Sequence, residues 1–414
     1  MSILIALSLL CGFYLVFPFA ISLVSVFIAD EVTPDDEATP SSNFACIITA
    51  YKDLDIAWPL VRSLLSQRYP HFHVYLVADV VENPTAQLFD SHFSLLIPPV
   101  PLHSKVASLD YALTHLAEGH SHVVVFDPDN LVPDHFLSVL DRYHQAGFDL
   151  VQGKRIAKNI DTTYAALDAL GEYYYDYAVR KALYQLGSSS TIAGSGMSVR
   201  LDLYQDNIAR EMEEFKEKGV VVSEDKSLQL QMVSNGFRIA YAGAAIIFDE
   251  KISAAHQIGK QRGRWLNSYF RHSLQALVAF GKGVMRADWN AMLFSVAVLM
   301  PPMVVLMALT FFLMVLGLIV KPVLSLALLA AAITFVMGFL GILVLNRAPR
   351  PVRRAIPQIP LFVMGQISGF LKIKKANKDF MATEHSYLVE IDDVWAARKR
   401  EFRYLSHWWT GREA

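Results

Sequence analysis

Residues 122–130 read HVVVFDPDN, an apolar run followed at once by Asp127-Pro128-Asp129-Asn130. Strands covered on both faces appear as near-continuous apolar runs, and Val-rich stretches favour the pleated backbone. Parallel sheets bind ligands beyond the carboxyl ends of their strands, which is where the two carboxylates stand. At i and i+2 they can point to the same side. Mg²⁺ is held by one or two carboxylates plus substrate phosphates, so Asp127 and Asp129 are the candidate metal ligands. The structural alternative is a turn in which an aspartate caps the helix starting near Pro133.

The same pattern repeats on either side. Residues 44–50 (FACIITA), 74–79 and 150–155 read as strands, and 53–67, 104–117 and 133–145 as helices. Strands alternating with amphipathic helices imply βαβ units. The expected fold class is α/β, with a Rossmann-like, mainly parallel sheet over 44–255.

Apolar residues make up 53% of the 414-residue chain and charged residues 18%, against about 25% charged in soluble domains. The deficit sits at the two ends of this domain. Residues 3–28 carry no charge, enough to cross ~30 Å of hydrocarbon as a helix. The run is longer than a signal-peptide core and lacks its basic start, so 1–29 reads as a retained transmembrane anchor with 30–43 as a linker. Residues 256–290 interleave Arg262, Arg264 and Arg271 with Trp265, Tyr269 and Phe270, a pattern suited to amphipathic interfacial helices. Residues 291–346 hold two further spans, 291–320 and 322–345. Arg347, Arg350, Arg353 and Arg354 follow them, against Lys321 in the intervening turn. That asymmetry puts the arginines, and with them the 44–290 domain, in the cytoplasm; the expectation is an integral protein of a plasma or inner membrane. Residues 347–380, apolar but interrupted and ending in Lys372, Lys374, Lys375 and Lys378, read as interfacial or re-entrant, and 381–414 as a cytosolic tail. A net charge of −2 gives no sign of nucleic-acid binding. Cys11 and Cys46 lie in apolar runs without metal or redox spacing.

Three other places could carry chemistry. Glu224-Asp225 opens a helix. Ser223 as N-cap with acidic residues near the positive helix end explains it structurally; a general base taking a proton from an acceptor hydroxyl explains it functionally. Gln261-Arg262-Gly263-Arg264-Trp265 could anchor a membrane surface, or Arg264 could bind diphosphate bidentately with Trp265 near the acceptor. Lys105 begins a helix, where a cation can assist phosphate binding. The chain has no glycine-rich phosphate loop.

In order and spacing, these residues resemble the membrane-integrated family 2 glycosyltransferases, the group that includes cellulose, chitin and hyaluronan synthases. The resemblance implies a GT-A fold and inversion at the sugar's anomeric carbon. Ala50, Tyr51 and Asp53 stand in the family's first nucleotide-contacting loop, although Lys52-Asp53 replaces a common Asn-Glu. Asp79 matches the acidic residue at base and ribose, and Lys105 to Asp110 resembles a Lys-x-x-Ala-Leu-Asn segment. Asp127 and Asp129 match the metal site, for Mg²⁺ or Mn²⁺. Gly194, Ser195 and Gly196 resemble the acceptor loop, in which Trp265 shares. Glu224-Asp225 matches the pair whose aspartate is the base. Gln261, Arg264 and Trp265 match Gln-x-x-Arg-Trp. Thr383-Glu384-His385 resembles a segment that folds over the site in some members. The implied partners are a nucleotide-sugar donor, usually a UDP-sugar, the membrane, a glycan or lipid acceptor, and a second copy or partner subunit. The leading expectation is synthesis of a β-linked polysaccharide. The alternatives are a single addition to a lipid acceptor, and a catalytically dead scaffold.

Overall fold

In this computed structural model, residues 1–30, 32, 39–82, 84–85, 87–219, 223–370 and 387–406 are described. They contain strands β1 (Phe44–Tyr51), β2 (Phe72–Asp79), β3 (Phe93–Leu96), β4 (His122–Phe126), β5 (Leu150–Ala157), β6 (Met197–Arg200) and β7 (Ile239–Asp249). These form one sheet in the order β3-β2-β1-β4-β6-β5-β7. All neighbours are parallel except β6, which is antiparallel to β4 and β5. The sheet is therefore mostly parallel, as 122–130 implied.

Around it run α1 (Ser2–Ser25), α2 (Trp58–Leu65), α3 (Lys105–Leu113), α4 (Phe136–Gln145), α5 (Thr163–Asp176), α6 (Ala182–Gln185), α7 (Leu201–Lys218), α8 (Glu224–Ser234), α9 (Ala255–Arg286), α10 (Trp289–Val298), α11 (Met303–Val320), α12 (Pro322–Leu345), α13 (Arg350–Arg354), α14 (Ile359–Phe370) and α15 (Ile391–Arg398). Both sheet faces are covered. Cys46, Ile48, Val124 and Phe126 pack on one side with Leu60, Phe136 and Leu140 of α2 and α4. Ala45, Ile47, Val123 and Val125 pack on the other with Leu109, Ile208 and Leu228 of α3, α7 and α8. This two-sided burial is why the strands lack an apolar–polar alternation.

Among the described residues, three helices are long and apolar enough to cross a bilayer: α1, α11 and α12. They pack together, and α5 with the turn after it leans on α1 and α12. Gly338 of α12 lets α1 approach so closely that an added Cβ would lie 2.6 Å from Phe19 Cβ. Phe311, Ile319 and Met337 are exposed on the outer faces.

The structure corrects several expectations. Residues 291–320 are not one span. The chain breaks at Pro301-Pro302, which supply no N–H and clash with a continuing helix; α10 folds into the sheet domain through buried Ala291 and Phe294. The helix expected over 53–67 starts at Trp58, behind a 3₁₀ turn at Asp55–Ala57. Of residues 381–414, expected as a cytosolic tail, the described residues 387–406 pack on the sheet domain. Arg398 donates to Ala157 O and Tyr173 Oη, Trp395 and Phe402 stack on each other and meet Phe248 edge-on, and Arg62 pairs with Glu390 at 2.5 Å. α14, at ~18 Å by the helical rise, is shorter than the ~30 Å hydrocarbon core and packs along α9. Thr383-Glu384-His385 and the lysines from Lys372 to Lys378 lie outside the described residues.

Candidate active site

The Asp127-Pro128-Asp129 turn leaves β4 and is pinned from several sides. Asp127 N–H donates to Asn130 Oδ1 at 3.0 Å, Glu250 N–H to Asp129 Oδ2 at 2.7 Å, and Lys158 Nζ to Asp129 O at 2.9 Å. The last two come from just beyond β7 and β5, so the sheet itself fixes where the carboxylates stand. Ser104 caps α3 through Ala107 N–H, and Lys105, the first helical residue, reaches across the strand ends. Its Nζ lies 2.8 Å from Asp127 Oδ1, 3.3 Å from Gly194 O and 3.5 Å from Glu224 Oε1. Burial opposes this charge, but Asp127, then Glu224 and Asp225, hold it well above its usual pKa.

Glu224 and Asp225 begin α8. Both carboxylates stand in the first turn, where the helix dipole favours them, but Ser223 makes no side-chain cap hydrogen bond and adopts a left-handed backbone, φ 68°. A non-glycine residue in that region carries strain of the kind found at functional sites. The turn throws Asp225 against Gly194, where an added Cβ would sit 3.4 Å from Asp225 Oδ2. Gly194 itself has φ +75°. Burial raises the Glu224 pKa against the pull of Lys105, with Asp225 and Asp127 adding to the rise. Arg264 comes from α9. Burial lowers its pKa while Asp127 and Glu224 counter that loss, which places the guanidinium among the same carboxylates.

The loop after β1 forms another wall. Thr49, Ala50, Tyr51 and Asp53 line the cavity, and Lys52 turns it with φ 68°. Tyr51 Oη meets His103 Nδ1 at 3.2 Å, and Asp53 Oδ1 accepts Asp55 N–H at 2.8 Å. Asp79 is buried and accepts Leu102 and His103 N–H, both at 2.8 Å, so it orders this rim through the backbone.

These groups open into one cavity of about 2120 Å³, lined among others by Asp79, Lys105, Asp127, Asp129, Glu224, Asp225, Gln261, Arg264 and Trp265. Ligand pockets run ~300–1,000 Å³, so there is room for two substrates. Three expected residues do not reach it. Asp110 lies five positions past Lys105, on another face of α3 from Lys105 and Ser108, which do line it. Ser195 is fully buried behind Gly194. Gly196 is a packing glycine whose missing Cβ makes room for Ile247.

Sequence reading also missed part of the cavity. Arg155, Arg180 and Lys226 line it, as do Tyr175 and Val179 and an apolar wall from Met300, Met303, Val304, Met307, Phe335 and Phe362. The Pro301-Pro302 pair was the available signal: it ends a buried helix and starts the spanning one at the cavity's edge. For a divalent metal, Asp127 and Asp129 offer hard oxygen donors at a strand end facing the cavity, which fits Mg²⁺ or Mn²⁺ sharing substrate phosphates. Among the described residues no group of three or more His, Cys, Asp or Glu is arranged to hold a metal ion by itself, so phosphate oxygens or water would complete the coordination.

The model of a family described as "Glycosyltransferase like family 2" matches residues 40–268. No curated protein matches the sequence significantly. Among solved structures, the mannosyltransferase PcManGT from Pyrobaculum calidifontis, in complex with GDP-Man and Mn²⁺, is 15% identical with a TM-score of 0.57, covering 90% of this chain and 98% of that one. TarS 1-349 from S. aureus is 16% identical with a TM-score of 0.40, covering 81% and 90%. At these identities the mannosyltransferase likeness is one of fold, the GT-A arrangement of sheet and flanking helices.

Proposed function

Starting from the fact that the chain belongs to the glycosyltransferase-like family 2, we propose that it moves a sugar from a nucleotide-sugar onto the hydroxyl of a lipid acceptor at a membrane, with inversion. The supporting observation is that one cavity combines the Lys105, Asp127, Asp225 and Arg264 cluster with the apolar wall of Met303, Met307 and Phe335. A diphosphate needs cations; an acyl or prenyl chain needs a surface without hydrogen-bonding demands. A polysaccharide carries hydroxyls along its whole length and would leave them unpaired beside that wall.

The loop at Thr49–Asp53 and Asp79 receives the nucleoside. Arg264, a planar fork of donors, neutralises the departing diphosphate. Asp127 and Asp129 would hold a divalent metal, which when bound would supply further positive charge for the leaving group. Asp225 takes the acceptor hydroxyl's proton as the oxygen bonds to the anomeric carbon, and the bond to the diphosphate breaks with its electron pair leaving on phosphate. Gly194 keeps Asp225 close to the acceptor side, and Lys105 holds Asp127 and Glu224 against their mutual repulsion.

The test is the full-length protein in detergent with a panel of labelled UDP- and GDP-sugars and total lipid extract. The expected outcome is transfer by the wild type and none by Asp225→Asn, which still binds the nucleotide by calorimetry. Equal transfer by that variant would refute the base assignment. No turnover of any donor by the wild type would favour a dead scaffold.

A further inference from the structure

Three cations in the cavity have no part in donor chemistry as described: Arg155 in β5, Arg180 on the π-helical turn Tyr177–Lys181, and Lys226 beside the base. They hold the loop that carries Gly194. Arg155 Nη1 donates to Ala193 O at 2.9 Å and Lys226 Nζ to Ile192 O at 3.2 Å. Arg180 follows Val179, and Val179 and Tyr175 border the apolar wall. The cluster therefore adjoins the catalytic carboxylate on one side and the apolar part of the cavity on the other.

Cations are packed closely here: Lys154, Arg155, Arg180, Lys226 and Lys251 face Glu172, Asp176, Asp249 and the base Asp225, and Asp127 and Asp168 also act on Arg155 and Lys251. Arg180 is 7% exposed and donates to Glu172 Oε1 at 2.6 Å, but its Nε has no acceptor, and neither has Arg155 Nε. Both Nε atoms are enclosed, so an anion in the cavity would meet these two side chains at their other N–H groups. A π-helical turn is a device often found at functional sites, and here it carries Arg180. Lys226 registers this packing: burial pushes its pKa down, Asp225 opposes this, and the charges of Arg180 and Arg155 add to the fall.

We propose that Arg155, Arg180 and Lys226 hold a phosphate group in the head of the lipid acceptor and thereby present a neighbouring hydroxyl to Asp225. This rests on the lipid-acceptor reading above and narrows it. An acceptor whose own ionised phosphate attacked would need no base; a phosphate next to a hydroxyl uses both the cations and Asp225. The hydroxyl proton goes to Asp225, its oxygen bonds to the anomeric carbon, and the lipid phosphate is unchanged.

The experiment uses the full-length protein in detergent, ¹⁴C-labelled UDP- and GDP-sugars, and lipid extract from cells grown on [³²P]phosphate, varied in mole fraction. The proposal expects an organic-phase product carrying both labels. Arg180→Gln and Lys226→Gln should need about tenfold or more extract for half-maximal rate, as loss of a charged hydrogen bond implies, with the nucleotide-sugar KM within about twofold. Arg180→Lys should recover part of the loss. Lys226→Gln leaves the ion pairs of Glu172, Asp176 and Asp249 intact, so it keeps the test decisive if Arg180→Gln fails to fold. A ¹⁴C lipid without ³²P, or variants that raise the donor KM and leave the acceptor dependence alone, would overturn the phosphate site. A polymeric ¹⁴C product, or none, would instead overturn the lipid-acceptor reading on which it stands.

Discussion

At the scale of single residues, the site depends on Gly194 and on the charges around Lys105. A methyl at Gly194 meets both an unfavourable φ and Asp225 Oδ2 at 3.4 Å, so Gly194→Ala should cut kcat by at least about tenfold, since small displacements of a base are costly, while nucleotide affinity changes little; an unaltered kcat would separate this loop from the base. Glu224 carries a raised pKa. Ionising it in the folded protein therefore costs more than in the unfolded chain, and the native state loses stability as pH rises from the ordinary ~4.3 through the raised value. Glu224→Gln removes that cost, so its melting temperature relative to wild type should climb across that window and then level off; a difference independent of pH would contradict the burial argument. Chelator should abolish transfer, Mn²⁺ or Mg²⁺ should restore it, and Asp129→Asn should weaken Mn²⁺ binding measured by electron paramagnetic resonance. Most of these residues were legible because each occupies a strand end or helix start: Asp127 after HVVVF, Lys105 and Glu224-Asp225 at helix openings. Arg155 and Arg180 were not, because a buried cation in a strand or mid-helix has no spacing that marks it; only folding brings them to the Gly194 loop.

At the scale of elements, the strands flanking 122–130 were readable from apolar runs because both sheet faces are covered. β6, four residues long and antiparallel, follows a loop whose glycines mask any pattern, and β7 came too far after the last recognised unit. The spans were read from hydropathy alone, which cannot separate a buried apolar helix such as α10 from a crossing one; Pro301-Pro302 made the division. Fusing α10 and α11 by Pro301→Leu with Pro302→Leu should straighten this corner and carry Met300 and Met303 away from the cavity. Acceptor KM should rise while donor KM holds, and an unchanged acceptor KM would show that the corner does not shape the acceptor path. Gly338→Leu should part α1 from α12 and lower the melting temperature by several degrees, in line with the ~1–3 kcal/mol cost of overpacking; an unshifted melt would mean this contact contributes little.

At the scale of the whole molecule, sheet domain and apolar helices share one cavity. Of the helices that fit a bilayer in length, α1 and α12 pack against the π-helical turn that carries Arg180, α12 also against α5, and α11 packs against α1 and α12. Residues 391–406 close over β5 and β7 through Arg398, Trp395 and Phe402, the two strands whose following residues pin the Asp127-Pro128-Asp129 turn. On the lipid-acceptor proposal, this arrangement would bring a water-soluble donor and a membrane-dissolved acceptor to the same carboxylate without either leaving its own phase. The direct measurement is the fate of the sugar: membranes containing the protein, given labelled nucleotide-sugar, should yield a product that extracts into organic solvent and carries a single sugar per lipid. Label retained as a high-mass, water-phase or insoluble polymer would contradict that account.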